Sequence, residues 1–445
     1  MLKPFVPTQV SINLGDNLRL RLARPDEVDA VVDFNTRIFD DRVSFWTRDL
    51  MSGRHPTIQA MDFTVVEDTR SNQIISSLCV IPQTWAYSGI PFQVGRPDLV
   101  ATNPDYRRRG LIRKQFEFIH SRNAANGEMM QVITGVDWFY RQFGYLMGIK
   151  LWGSRWVEAA QLLKIEEAES NGYRLRPALP SDYNFIQDVY NHAMHGQLFS
   201  AVRSPEQWAY EFEGRSKNNT RRREWLIIES SFGEPLGYVQ YLPCLASPHV
   251  PMFRIYQVEL KAGVGYLNLL SDLLRGLWVK AKAMHASGDL SCKELQGLEL
   301  TLERDHPLFR VLPKNWVREV KPSPWYIRLP DPVAFLRKVR PALEKHLVGT
   351  DAEGYSGEVK LNFYRSGLRF MFERGQITAI EEWFPQELSQ GDARFPDLTF
   401  TQLLCGWRRV HDLTENYPDC FAKDDTAVLL DSLFPRFHGK IWVLA

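Results

Sequence analysis

Arg107-Arg108-Arg109-Gly110-Leu111-Ile112-Arg113 packs four cations and a glycine into one short stretch, and that combination suits a phosphate-bearing ligand. Such a ligand needs positive charge together with backbone N–H groups turned inward at the start of a helix. Gly110 permits a positive φ or a close backbone approach, and Pro104 ends the preceding strand. A helix from Leu111 turns its positive end to the same point. Taken alone, the run also reads as a basic surface turn. A second stretch, Thr134 to Tyr145, carries Tyr140, whose phenol has an ordinary pKa near 10 and can donate a proton at neutral pH to a departing anion. With Phe139, Phe143 and Tyr145 the same stretch also reads as an aromatic core cluster.

The elements that must position these groups follow from periodicity. Alternation at Leu18 to Ala23 predicts a strand, and Pro25-Asp26-Glu27 opens an apolar-periodic helix through Phe39. Phe63 to Glu67, Ile74 to Ala86 and Phe92 to Thr102 read as a meander, with Tyr87-Ser88-Gly89-Ile90 as one turn. A helix over Gly110 to Ala125, a strand over Met129 to Gly135 and a short helix over Trp138 to Phe143 complete the unit. From Tyr173 the phrasing YRLRPALPSDYNFIQDVYN repeats LRLRLARPDEVDAVVDFN, which indicates an internal duplication. Strands at Trp225 to Glu229, Leu236 to Tyr241 and Phe253 to Leu260 follow, with a helix over Leu267 to Ala283. Gly263-Val264-Gly265-Tyr266 stands where the first copy has its arginines. After Trp325 come a helix over Pro332 to Leu347, strands at Glu358 to Tyr364 and Leu368 to Glu373, and helices over Leu398 to Val410 and Asp424 to Leu433. The expected fold class is therefore α/β (α+β): two mixed-sheet units, 1–158 and 159–326, and a small α+β unit, 327–445.

Composition narrows the function classes. At 445 residues, 44% hydrophobic and 24% charged, the chain has material for two or three cores. Lys plus Arg (54) against Asp plus Glu (53) leaves a net charge of +1, with no global field for nucleic acid or acidic membranes. The five cysteines, Cys79, Cys244, Cys292, Cys405 and Cys420, show no metal-ligand spacing. No signal-like N-terminus or membrane-spanning window is seen, so a cytoplasmic protein is expected.

The loop resembles that of the GNAT superfamily, Arg/Gln-x-x-Gly-x-Gly/Ala, through Arg107 and Gly110, with Ile112 departing at the last position. WFYRQFGY is similar to the superfamily's Phe-Tyr-x-x-Phe-Gly-Tyr/Phe signature. The resemblance implies an N-acetyltransferase with acetyl-CoA as co-substrate and no metal. It assigns cofactor contacts to Val100, Ala101, Thr102, Arg107, Arg108, Arg109, Gly110, Leu111, Ile112, Arg113, Gly135 and Val136. Main-chain groups of Val100 to Thr102 would pair with the pantetheine arm as an added strand does, and Tyr140 would be the general acid. The whole-chain order resembles the Eis (enhanced intracellular survival) family. That likeness implies a degenerate second GNAT unit, a sterol-carrier-protein-like third unit and a homo-oligomer, typically a hexamer. It also gives the C-terminal carboxylate of Ala445 the role of catalytic base or ammonium-orienting group, although family members commonly end on a larger, often aromatic residue.

The acceptor amine stays open among aminoglycoside-like polyamines, lysine side chains and small amines. So do a longer acyl donor and a non-catalytic lipid- or CoA-binding protein. His192 and His195 read as a surface pair, and Thr220-Arg221-Arg222-Arg223 as a solvated basic loop. Trp46 and Trp85 flank the expected acceptor side, where Asp40 and Asp41 could attract a cation, although packing accounts for the tryptophans and a solvated loop for the aspartates.

Overall fold

Leucines at alternate positions of the second strand face inward, and Arg21 between them is buried as well because Glu27 and Glu67 both take its guanidinium. In the computed structural model, which describes residues 11–136, 138–152, 154–166, 169–245, 250–287, 294–303, 305–320, 323–396, 398–437 and 441, this strand belongs to a mixed sheet. The first unit runs β1 (Ser11–Gly15), β2 (Leu18–Leu22), α1 (Val28–Ile38), α2 (Ser44–Met51), β3 (Phe63–Asp68), β4 (Gln73–Tyr87), β5 (Ile90–Thr102), α3 (Leu111–Ala125), β6 (Met130–Ile133) and β7 (Leu146–Trp152). β1 to β5 form an antiparallel meander. β6 lies parallel to β5 but pairs with it only at Val94↔Met130 and Gly95↔Gln131. Beyond Gly95 the two strands part, and among the described residues Arg96 to Thr102 pair with β4 alone. Leu99 takes a positive φ of 51° at a register shift, the mark of a β-bulge that re-aims the strand.

A second mixed sheet repeats the pattern in the order Val317–Glu319, Arg155–Glu158, Gly297–Leu300, Met252–Leu260, Pro235–Tyr241, Glu224–Glu229, Arg174–Pro177. Its parallel pair is Met252–Leu260 with Gly297–Leu300, as β5 is with β6. The two sheets exchange strands. Ser323–Arg328, which follows the second sheet in the chain, slots between β6 and β7 of the first. Arg155–Glu158, which follows β7, slots into the second sheet between Gly297–Leu300 and Val317–Glu319. A further short strand, Phe199–Val202, joins β4 at Thr84 to Tyr87.

The third, five-stranded sheet carries the helix Pro332–Leu347, whose Phe335, Leu336, Val339 and Leu343 share one continuous core with Trp85, Phe92 and Trp325 of the first sheet. The segment expected as one helix over Leu398 to Val410 is instead two helices, Thr399–Leu404 and Val410–Asn416. Gly406 separates them at a φ of 65°, where an added Cβ would lie 2.4 Å from the Pro435 carbonyl oxygen. Among the described residues no helix is long and apolar enough to cross a membrane.

Behind β5 lies a buried acid. A Cβ on Gly95 would stand 1.9 Å from Oε2 of Glu128, so the glycine admits that carboxyl. Burial pushes the Glu128 carboxyl up to about 8, opposed by Arg122 and reinforced by Asp62. The folded chain thus holds a proton that an unfolded carboxyl, with its ordinary value of 4.5, has released. Between those two pH values stability falls as pH rises. Glu128→Gln should remove that fall: in calorimetric melts the variant and the parent match best near pH 5, and the variant melts higher at pH 8.

Candidate functional site

A groove of about 630 Å³ opens where β5 and β6 part. Val100, Ala101 and Thr102 of β5 form one wall, at the strand edge that β6 has left free. Arg107, Arg108, Gly110, Leu111, Ile112 and Arg113 form the floor, and Val136 and Tyr140 close the far side. Of the cofactor contacts expected from sequence, Arg109 and Gly135 do not line the groove. Arg109 stacks on the Tyr106 ring, 5.1 Å from its centroid.

The floor is built for an anion. Arg108 and Gly110 both take left-handed φ values, 65° and 74°, so the chain turns sharply before α3 starts at Leu111. The first N–H groups of α3 have no partner within the helix, and the helix dipole adds positive potential there. Among the described residues none of Arg107, Arg108, Arg109 and Arg113 is ion-paired. Arg113 is held in place by other means, donating to Gln142 Oε1 at 2.8 Å and lying over the Phe143 ring at 5.5 Å. The phosphate-type turn is thereby tied to the turn that carries Tyr140.

Tyr140 sits in the 3-10 turn Phe139–Phe143, 6% exposed, among Phe116, Tyr145 and Tyr326. Burial pushes its phenol well above the usual tyrosine range, and the Asp98 carboxylate adds to the shift. The group therefore stays protonated at any physiological pH, as a proton donor must. Gly135, at a φ of 123°, brings its backbone so near that an added Cβ would lie 3.8 Å from the Tyr140 hydroxyl oxygen. Trp138, itself at a φ of 68°, donates its backbone N–H to the Tyr326 hydroxyl at 3.2 Å, so the exchanged strand Ser323–Arg328 braces this turn. Ala445 lies outside the described residues; Ile441, the last described residue, is buried and accepts from the Trp325 indole at 3.0 Å.

Some residues at this site carried no local signal. Ile38 and Phe39, at the end of α1, line the groove, and Asp98 acts on Tyr140 from the bulged strand. Nothing in the sequence pattern fixes how near they come. The basic run Thr220 to Arg223 is not a solvated loop. The loop is anchored on α2 by Asn219, whose Nδ2 donates to Asp49 at 2.7 Å, and Arg221 and Arg223 lie against the rings of Trp46 and Tyr256 at 4.3 and 4.1 Å. Trp46 and Trp85 are core residues, 4% and 0% exposed. Asp40 is engaged by Arg42, and His192 and His195 are both exposed. Glu259, Glu303 and His306 come together, but both His306 nitrogens are in use, Nε2 bonded to the Val258 carbonyl at 3.0 Å and Nδ1 accepting from the Leu308 N–H at 3.1 Å. That is a satisfied core histidine.

Residues 19–148 match the acetyltransferase (GNAT) domain family. No curated protein matches the sequence significantly. Among solved structures, a conserved protein of Enterococcus faecalis V583 aligns at a TM-score of 0.67 and 14% identity, over 96% of this chain and 99% of that one. A GCN5-related N-acetyltransferase of Anabaena variabilis ATCC 29413 aligns at 0.64 and 13%, over 95% and 99%. Eis1 of Mycobacterium abscessus aligns at 0.59 and 14%, over 96% and 99%. At these identities the likeness establishes a shared α/β fold of mixed sheets along nearly the whole chain.

Proposed function

We propose, from the acyl-CoA-dependent N-acyltransferase chemistry of the domain over residues 19–148, that the chain transfers an acetyl group from acetyl-CoA to an amine. The carrying observation is the groove itself: three arginines without ion-pair partners among the described residues, a helix N-terminus and a free strand edge converge on one side of a buried tyrosine. Those donors fit a pyrophosphate joined to an amide-bearing arm. Bound there, acetyl-CoA supplies an activated acyl carbon. The chain's own groups do the rest. Arg107, Arg108 and Arg113 hold the phosphates, the main chain of Val100 to Thr102 orients the arm, and the Tyr140 hydroxyl gives its proton to the leaving sulfur.

Calorimetric titration with acetyl-CoA tests this directly. We expect micromolar binding that weakens with salt, and about a tenfold loss in Arg113→Gln. Binding of lipid without coenzyme A would overturn the reading.

The proposal extends to an Eis-like arrangement of units 1–158, 159–326 and 327–445, the last sterol-carrier-protein-like, assembled as a homo-oligomer in the cytoplasm. In it the Ala445 carboxylate orients the acceptor's ammonium. A few residues appended after Ala445 should lower kcat/KM by at least tenfold without changing acetyl-CoA affinity; full activity of the extended chain would remove the carboxylate from the mechanism.

A further inference from the structure

Past the Leu99 bulge, four guanidiniums crowd the contact between α2 of the first unit and the loop 215–223 of the second. Each lies against a ring: Arg96 on Trp325, Arg215 on Tyr210, Arg221 on Trp46 and Arg223 on Tyr256. Three acids face them. Asp98 pairs with Arg96 and Glu211 with Arg215. Asp49 is taken up by Arg54, Ser216 and Asn219. Arg221 and Arg223 have no carboxylate among the described residues, and Arg223 spends Nη1 on the carbonyls of Thr220 and Arg222. Mutual repulsion is felt: burial holds Arg223 down to about 10, with Arg221 and Arg215 contributing.

Arg221 and Trp46 show the surplus of donors most directly. Arg221 Nε and Trp46 Nε1 are both buried donors with no hydrogen-bond partner among the described residues, on side chains stacked 4.3 Å apart. Buried donors of this kind call for an acceptor, and a surplus of positive charge beside them calls for a negative one. The place is also the right one. Trp46 packs with Leu99 and Ala101 on the strand that lines the groove, and Asp98 on that strand acts on both Arg96 and Tyr140.

We propose that Arg221 and Trp46, with Arg223 beside them, form an oxyanion subsite for the acceptor, so that the preferred substrate is an amine carrying a carboxylate or phosphate and not a polycation. This inference rests on the acetyltransferase reading. The subsite holds the acid group, so that the amine is presented to the acyl carbon. Arginine suits the task because its planar fork meets two oxygens at once, and the indole N–H adds a third donor.

The test compares acceptors with thiol release from acetyl-CoA as the readout. Lysine, glutamate and phosphoethanolamine are set against lysinamide, glutamine amide and spermidine, so that carboxylate, phosphate and cationic arms are read separately. At least tenfold higher kcat/KM for an anionic member over its neutral or cationic counterpart is expected. Arg221→Gln should raise KM for the anionic acceptors about 10- to 100-fold and leave lysinamide unchanged. Arg221→Lys should rescue part of that, and Trp46→Phe, which keeps the ring, should raise the same KM severalfold. Equal use of spermidine and glutamate, or an Arg221→Gln loss shared by every acceptor, overturns the subsite. Independently of turnover, succinate and inorganic phosphate are titrated by thermal shift with coenzyme A saturating the Arg107 loop. A rise in Tm that disappears in Arg221→Gln supports the subsite, and no rise with either anion overturns it. Failure of coenzyme A to bind at all overturns the acetyltransferase reading instead, and the Arg221-dependent shift still decides the subsite.

Discussion

Tyr140→Phe should lower kcat by at least 100-fold while the affinity for acetyl-CoA, read by calorimetry, stays within twofold of the parent. The substitution removes one oxygen from a side chain that is 6% exposed and otherwise packed among Phe116, Tyr145 and Tyr326, so the turn it belongs to has every reason to persist. Only the proton is lost. Positioned proton donors contribute about 10² to 10⁴ in rate, which sets the scale. The pH profile gives an independent check. Because burial and Asp98 hold the phenol protonated above the usual tyrosine range, the parent should show no alkaline fall attributable to this group below about pH 10. An unchanged kcat in Tyr140→Phe would remove the assignment.

The second large effect concerns dissection. A chain ending at residue 158 keeps every residue of the groove, yet it should not give a soluble, acetyl-CoA-binding domain. It lacks Ser323–Arg328, whose backbone bonds both β6 and β7, so β7 would be cut off from the rest of the first sheet and two raw edges left. The same deletion removes Trp325 and Ile327 from the main core, takes away Tyr326, which holds the Trp138 N–H, and strands Arg155–Glu158 without its sheet. Expression of 1–158 alone should yield aggregate, whereas the full chain melts as a cooperative unit. A soluble 1–158 fragment with native acetyl-CoA affinity would show that the exchanged strand is dispensable.

What could be read from the sequence was what is local. The Arg107 to Ile112 turn, the helix starting at Leu111 and the short turn around Tyr140 are each encoded by neighbours within a few positions, and the structure has them where spacing places them. The groove brings together eleven of the residues that the resemblance assigned, from Val100 to Tyr140. The duplicated phrasing at Tyr173 likewise corresponds to a second sheet of matching strand order. Illegible features depend on distant partners. Ser323–Arg328 is an ordinary apolar strand whose destination no periodicity states. The run of arginines at Arg221 to Arg223 looks like surface because charge usually is, but the rings of Trp46 and Tyr256, from separate units, draw it inward. Phe39 and Asp98 owe their roles to the parting of β5 from β6, which is a matter of register and not of composition.

The strand exchange also imposes an order in time. During synthesis the segment up to β7 emerges long before Ser323–Arg328, with the whole of the second unit in between. The first unit therefore cannot close when its own sequence is complete. It must wait, with β6 and β7 unjoined, until some 170 further residues have been made, a count that follows from Trp152 to Ser323. Nascent chains in that interval present unpaired strand edges and apolar surface, the condition in which chaperones are engaged and aggregation competes with folding. Closure of the groove around Tyr140 is thus a late event, coupled to completion of the second sheet, and a chain with a formed groove is one whose two sheets have already been joined.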